Sequence, residues 1–281
     1  MRRALRVDGG AWALLAALLC SGAIVVTAIC AGSAGALGQA PLARALDWRP
    51  ALGLHQPWRL WTCAWVHASA EHLLVNVAGA IVVAFVGWRG RLPATAALAW
   101  LAAWPLVQVA MATLGAERLA AVMPRYDGLS GVLHAGVMVA GLSLAWPMVR
   151  APARGSRPPP PPPLPGDAEF VPSRGSAIEP SRITEGPWAM TDRGSLTAVP
   201  ASTLDQAAID PPPVGRSPER WIGLAIVAGT VAKVVLEAPW NLTPRPSAAL
   251  GIAVAPVAHA CGIAAGLLAW GAVRVLRRRG G

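Results

Sequence analysis

A serine set between glycines and a histidine on a small-residue helix face are the two groups in this sequence whose types and setting fit acyl transfer. Ser130 lies in Tyr126-Asp127-Gly128-Leu129-Ser130-Gly131, and His259 lies in Ala258-His259-Ala260-Cys261-Gly262, with Gly266 one turn further on. A neutral imidazole within reach of a hydroxyl takes its proton and later returns it to a leaving amine, which makes serine a usable nucleophile near neutral pH. Gly128 and Gly131 allow close approach of backbone and neighbouring helices around Ser130, and a helix starting there supplies free N–H groups for an oxyanion. Spacings of three and seven place His259, Gly262 and Gly266 on one helical face, where another helix can come near. Each patch has a plainer reading when taken alone. Gly-x-Ser-Gly also serves as a packing face, and a lone histidine can be capped by a backbone carbonyl.

A third patch contains Trp58-Arg59, then His67, His72 and Asn76. His72 and Asn76 are four apart and share a helical face, so their N–H donors could join the Ser130 amide in holding a tetrahedral oxyanion. His67, Glu71 and His72 also invite a metal reading. Their spacing is not that of two histidines four apart with a glutamate between, so no metal site is expected, and acyl transfer requires no cofactor.

The elements that must position these groups are membrane helices. Hydrophobic residues make up 54% of the chain and charged residues 14%, with mean hydropathy +0.48, outside the range of ordinary soluble domains. Apolar stretches at 11 to 31, 72 to 88, 94 to 114, 128 to 149, 221 to 237 and 254 to 273 predict six transmembrane helices. The first could be a cleaved signal peptide after Arg2, Arg3 and Arg6, but the charge-free run from Gly9 to Ala43 is long for that, so it is expected to stay as a helix.

With the N-terminus cytoplasmic, 17 arginines fall on the inner side and 6 on the outer, so both termini are expected inside and the Ser130 and His259 ends of their helices outside. That placement also accounts for the net charge of +10, since the basic residues sit at helix ends and form no aromatic-interleaved stripe for nucleic acid. The lipid bilayer, not nucleic acid, is the implied partner. Four cysteines, Cys20, Cys30, Cys63 and Cys261, have no paired or metal-ligand spacing, and no structural disulfide is expected.

Residues 151 to 216 break this pattern with six prolines from Pro158 to Pro163 and many Ser, Gly, Asp and Arg residues. They read as a disordered cytoplasmic linker between a first membrane part, 1 to 150, and a second, 217 to 281. Lys233 and Glu237, one turn apart inside the fifth helix, read as a structural or gating pair. A proton pathway would need a chain of acids that the other helices lack.

The order WR, H-x4-H-x3-N, G-x-S-G and AH-x2-G-x3-G resembles the rhomboid family of intramembrane serine proteases. The resemblance implies an all-α, six-helix bundle in which Ser130 and His259 form a dyad without an aspartate and His72 and Asn76 line the oxyanion hole. It also implies that Trp58 and Arg59 belong to a first-loop structure braced by His67, and that Gly262 and Gly266 pack on the fourth helix. A narrower similarity, in Trp58-Arg59-Leu60-Trp61-Thr62, His67-Ala68-Ser69 and Tyr126 to His134, is to rhombosortases of bacteria. It implies residence in the inner membrane and an active site opening to the periplasm. The implied substrates are membrane-anchored proteins with a C-terminal Gly-Gly motif, one transmembrane helix and a basic tail. His134 stands where better-known rhomboids commonly have tyrosine, placed either to stack on His259 or simply to pack. A catalytically silent rhomboid-like protein that binds membrane clients is the alternative of another class.

Overall fold

Helices stand at all six apolar stretches of the sequence in the computed structural model, which describes residues 9–33, 35–147 and 218–279. They are α1 (Gly10–Ala31), α4 (Ala70–Arg89), α5 (Ala94–Ala112), α7 (Ser130–Ala145), α8 (Pro218–Leu236) and α9 (Pro256–Arg279). The short helices α2 (Pro41–Leu46) and α3 (Arg59–Thr62) lie between α1 and α4, and α6 (Ala116–Val122) lies between α5 and α7. Four of them, α1, α4, α5 and α9, are long and apolar enough to cross a membrane, by length and composition. α7 is apolar but has 16 residues, and the 19 residues of α8 include Glu219, Arg220 and Lys233. The expected linker, 151 to 216, lies outside the described residues.

Local chemistry sets the helix ends. Ser69 caps α4, accepting the His72 N–H at 3.0 Å, as a serine at the N-cap commonly does. α7 starts at Ser130 rather than at 128 because Gly128 has φ +107°, a conformation that interrupts a helix and is open to glycine. It stops at Ala145, since the residue before Pro147 is disfavoured in helical geometry. The all-α expectation needs one amendment. Arg245–Ser247 (β1) and Ile252–Val254 (β2) form an antiparallel hairpin between α8 and α9, with Gly251 in the left-handed region at φ +61°.

α7 is the most enclosed helix, packing on α5, α8 and α9 and also touching α4. Close helix approach depends on tryptophans seated against glycines. The Trp12 indole lies over Gly87 and donates to Val83 O at 2.8 Å, and Trp100 lies over Gly136 and donates to Val132 O at 2.9 Å. Each pairing buries a large ring and satisfies its N–H, which apolar surroundings would otherwise penalise. α9 meets α7 more closely still. A Cβ at Gly262 would sit 2.2 Å from Gly131 O, and one at Gly266 would sit 2.6 Å from Ala135 O.

Candidate active site

The chain before α7 is tied to the loop after α1, which fixes where Ser130 begins its helix. Trp48 and Tyr126 exchange backbone hydrogen bonds at 2.9 and 2.7 Å, and Gly128 N–H donates to Cys63 O at 3.0 Å. Arg59 organises that loop from within. Its guanidinium pairs with Asp47 Oδ1 at 2.7 Å and also donates to Arg44 O at 2.9 Å and to Gln56 Oε1 at 2.5 Å. Trp58 by contrast is 51% exposed, with its indole donating to Ala45 O at 3.4 Å. The Trp58-Arg59 pair thus sits in first-loop structure and not beside Ser130.

His72 occupies the space that Gly128 leaves beside the chain leading to Ser130, and Asn76 lies about one turn further along α4. A Cβ on Gly128 would fall 2.5 Å from His72 Cε1, so the imidazole lies directly across the residue two before Ser130. Both side chains are buried, and His72 Nδ1 and Asn76 Nδ2 have no hydrogen-bond partner among the described residues. Unmatched buried polar atoms are costly, and both of these residues line a shared cavity with Ser130. Ser69 holds this face by a second bond, donating to Leu250 O of the hairpin at 2.5 Å.

His67 packs behind His72, with ring centroids 4.8 Å apart, and is 1% exposed. Burial, helped by the neighbouring His72, pushes its pKa down from 6.5 to about 3. The unfolded chain therefore binds the proton more readily than the folded one between those values. Stability is intact above pH 6.5 and falls as pH drops through the window, by up to about 1.4 kcal/mol per pH unit. His67→Gln is expected to remove up to about 2.5 kcal/mol of the difference in unfolding free energy between pH 7.5 and pH 4.5. Thermal unfolding of the detergent-solubilised protein at both pH values checks this, and an unchanged difference would exclude His67 as its source.

Tyr126 is buried beside Ser130, its hydroxyl accepting Gly131 N–H at 3.4 Å. Burial raises its pKa, so it stays a neutral phenol. Burial also pushes the Asp127 carboxyl up to about 6, against the pull of Arg125.

His259, 5% exposed, lies near the start of α9. The backbone on either side of it abuts α7: a Cβ on Gly131 would lie 3.1 Å from Ala258 O and one on Gly262 would lie 2.2 Å from Gly131 O, so neither position has room for a side chain. Its ring stacks on that of His134 at 4.1 Å with planes 17° apart. Its Nδ1 is 2.7 Å from Glu237 Oε2, just beyond the end of α8, and Glu237 Oε1 is 2.5 Å from Lys233 Nζ. Lys233 Nζ also lies 3.2 Å from His134 Nε2, while His134 Nδ1 is 2.7 Å from Ser130 O.

Donor and acceptor chemistry assigns the protons in this ring of contacts. A carbonyl can only accept, so His134 carries its proton on Nδ1, and its Nε2 accepts from the lysine ammonium. A carboxylate likewise only accepts, so His259 carries a proton on Nδ1. In the neutral ring this leaves Nε2 unprotonated, the state a general base needs.

A cavity of about 1040 Å³ joins these groups, lined by Ser130, His259, His72 and Asn76 together with parts of α4, α7, α8 and the hairpin. The structure thus brings Ser130, His259, His72, Asn76 and His134 to one space. Gly128, Gly131, Gly262 and Gly266 serve their approach, and His67 backs His72. Sequence reasoning left Ser69, Tyr126 and the Glu237–His259 contact without a role. Ser69 was discoverable as a helix-capping residue; the other two depend on tertiary contacts.

A 45-residue stretch of the chain is 47% identical to RHOMBOID-like protein 2 of Arabidopsis thaliana, covering 16% of this chain and 13% of that protein. No family model and no solved structure matches the chain. The partial likeness supports a relationship of rhomboid type.

Proposed function

We propose that the chain is an intramembrane serine endopeptidase of rhomboid type, with Ser130 as nucleophile and His259 as general base. The observation that carries the reading is the shared cavity lined by Ser130, His259, His72 and Asn76. α7 and α8 join α1, α4, α5 and α9 as membrane segments in this reading, giving six spans with both termini cytoplasmic and the site opening to the outer side. The serine oxygen attacks the scissile carbonyl carbon, and its proton passes to His259 Nε2. The carbonyl oxygen, now an oxyanion, receives N–H groups from the start of α7, Asn76 and His72. Collapse of the tetrahedral intermediate breaks the C–N bond as His259 gives the proton to the leaving amine. Water then attacks the acyl-serine by the same proton route, releasing the carboxylate product.

The preferred substrates are membrane-anchored proteins whose C-terminal tail carries a Gly-Gly motif, one transmembrane helix and basic residues, as in the rhombosortase branch, at a bacterial inner membrane. Small residues there let a substrate helix unwind and present its carbonyl. Two measurements on the detergent-solubilised full chain test this. A fluorophosphonate probe should modify Ser130, and His259→Ala should prevent the modification. Tagged proteins bearing such a tail should be cut, with tails lacking the Gly-Gly pair left intact. An unlabelled Ser130 together with no cleavage would favour a silent client-binding protein, and cleavage of unrelated tails alone would move the specificity elsewhere in the family. Asn76→Ala should lower kcat about 10²- to 10³-fold with little change in KM, the signature of a donor used in the transition state.

A further inference from the structure

We infer that Glu237 is a positioning residue of the site, holding His259 as the Nδ1–H tautomer and stabilising the imidazolium that forms during turnover. This rests on the serine-hydrolase reading and extends it from a pair to a Ser–His–Glu constellation. The geometry is direct. Glu237 Oε2 lies 2.7 Å from His259 Nδ1, and this contact selects the tautomer whose Nε2 can take a proton from Ser130. The carboxylate is held at its other oxygen by Lys233 at 2.5 Å, and Lys233 is held in turn by His134 Nε2 at 3.2 Å. His134 closes the circuit on Ser130 O at 2.7 Å. Four side chains from α7, α8, the turn after it and α9 thus form one path from the backbone carbonyl of the nucleophile to the base.

The turn that delivers the carboxylate is strained. Glu237 N–H still donates to Lys233 O, and the next residue, Ala238, has φ +49°, unusual for a residue with a side chain. Such conformations persist where the surroundings hold them, and here they set Glu237 at the end of α8 facing His259.

The charged and titratable groups around His259 are Glu237 beyond α8, Lys233 on α8, His134 on α7 and His72 on α4. Glu237 is the one whose charge favours imidazolium, and Lys233 opposes it. Opposite effects of their removal therefore separate positioning from mere structure. Cleavage of a Gly-Gly-tailed substrate and fluorophosphonate labelling of Ser130 are measured against pH for the intact full chain, Glu237→Gln and Lys233→Gln, with thermal unfolding recorded for each. Glu237→Gln should lower kcat about 10- to 1000-fold with a smaller change in KM, and move the acid limb of kcat/KM down by about one pH unit. Lys233→Gln should move that limb upward. Glu237→Asp, which keeps the charge on a shorter stem, should keep the limb near its original position.

If Glu237→Gln retains kcat within about threefold and leaves the limb in place, the inference is overturned while the protease reading stands. Limbs that move in the same direction for both Gln variants overturn it as well. The Lys233→Gln result keeps the test decisive if Glu237→Gln does not fold, because an unmoved or lowered limb in that variant contradicts the assigned charges. Absence of labelling and cleavage in the intact chain instead overturns the parent reading.

Discussion

Ser130→Ala should reduce cleavage to background, a loss on the order of 10⁶-fold in kcat, with thermal unfolding nearly unchanged. The reasoning is chemical. Among the hydroxyls of the described residues lining the cavity, that of Ser130 alone stands at the start of a helix, and it shares the cavity with His259, His72 and Asn76. Truncation removes one oxygen from a partly exposed side chain, so little packing is lost and a folded but inert protein is the expected product. His259→Ala should be similarly inactive, and the double variant no worse than either single one, because residues acting as a unit lose their effect together. Rates from timed gel assays, with unfolding temperatures alongside, check both parts. Residual cleavage within about tenfold of the intact protein by Ser130→Ala would assign the nucleophile elsewhere.

Much of this site was legible because its parts follow local rules. Gly128, Ser130 and Gly131 announce a helix start and a close approach; His72 and Asn76 share a face by spacing alone; His259, Gly262 and Gly266 do the same on α9. What the sequence hid was mostly non-local. Glu237 was read through Lys233 because the two are one helical turn apart. Its bond to His259 spans a loop and a hairpin that no helical or alternating pattern reveals. The hairpin strands have three residues each, too few for a period-two signal, and Pro246 weakens even that. Arg59 was expected in first-loop structure, but its dependence on Asp47 and on the Arg44 carbonyl arises from how the loop folds back on itself. Helix limits moved for reasons of backbone chemistry. The fourth apolar stretch, expected over 128 to 149, narrows to Ser130–Ala145 between a left-handed glycine and a proline.

The same close approach that the proposed dyad depends on makes it fragile, and Gly262→Ala is where this should be felt most. A single methyl at this position would stand 2.2 Å from Gly131 O and 3.1 Å from the Gly131 carbonyl carbon. Those are backbone atoms of α7, so relief requires moving one helix away from the other. Ser130 precedes Gly131, and His259 precedes Gly262 by less than one turn, so any separation of α7 from α9 widens the gap that proton transfer must cross. Overpacking of this kind costs about 1–3 kcal/mol of stability, while a displacement near 1 Å at the reacting groups costs on the order of 10²-fold in rate. Gly262→Ala should therefore lower both the unfolding temperature and kcat, and the loss of kcat should persist well below the temperature of unfolding. Gly271→Ala is the matched control on the same helix. A Cβ there meets nothing within 4 Å among the described residues, and alanine favours helix, so that variant should keep its activity with unchanged or slightly higher stability. Equal activity in the two variants would mean that α7 and α9 can part without disturbing the chemistry, and that the glycine face of α9 serves packing alone.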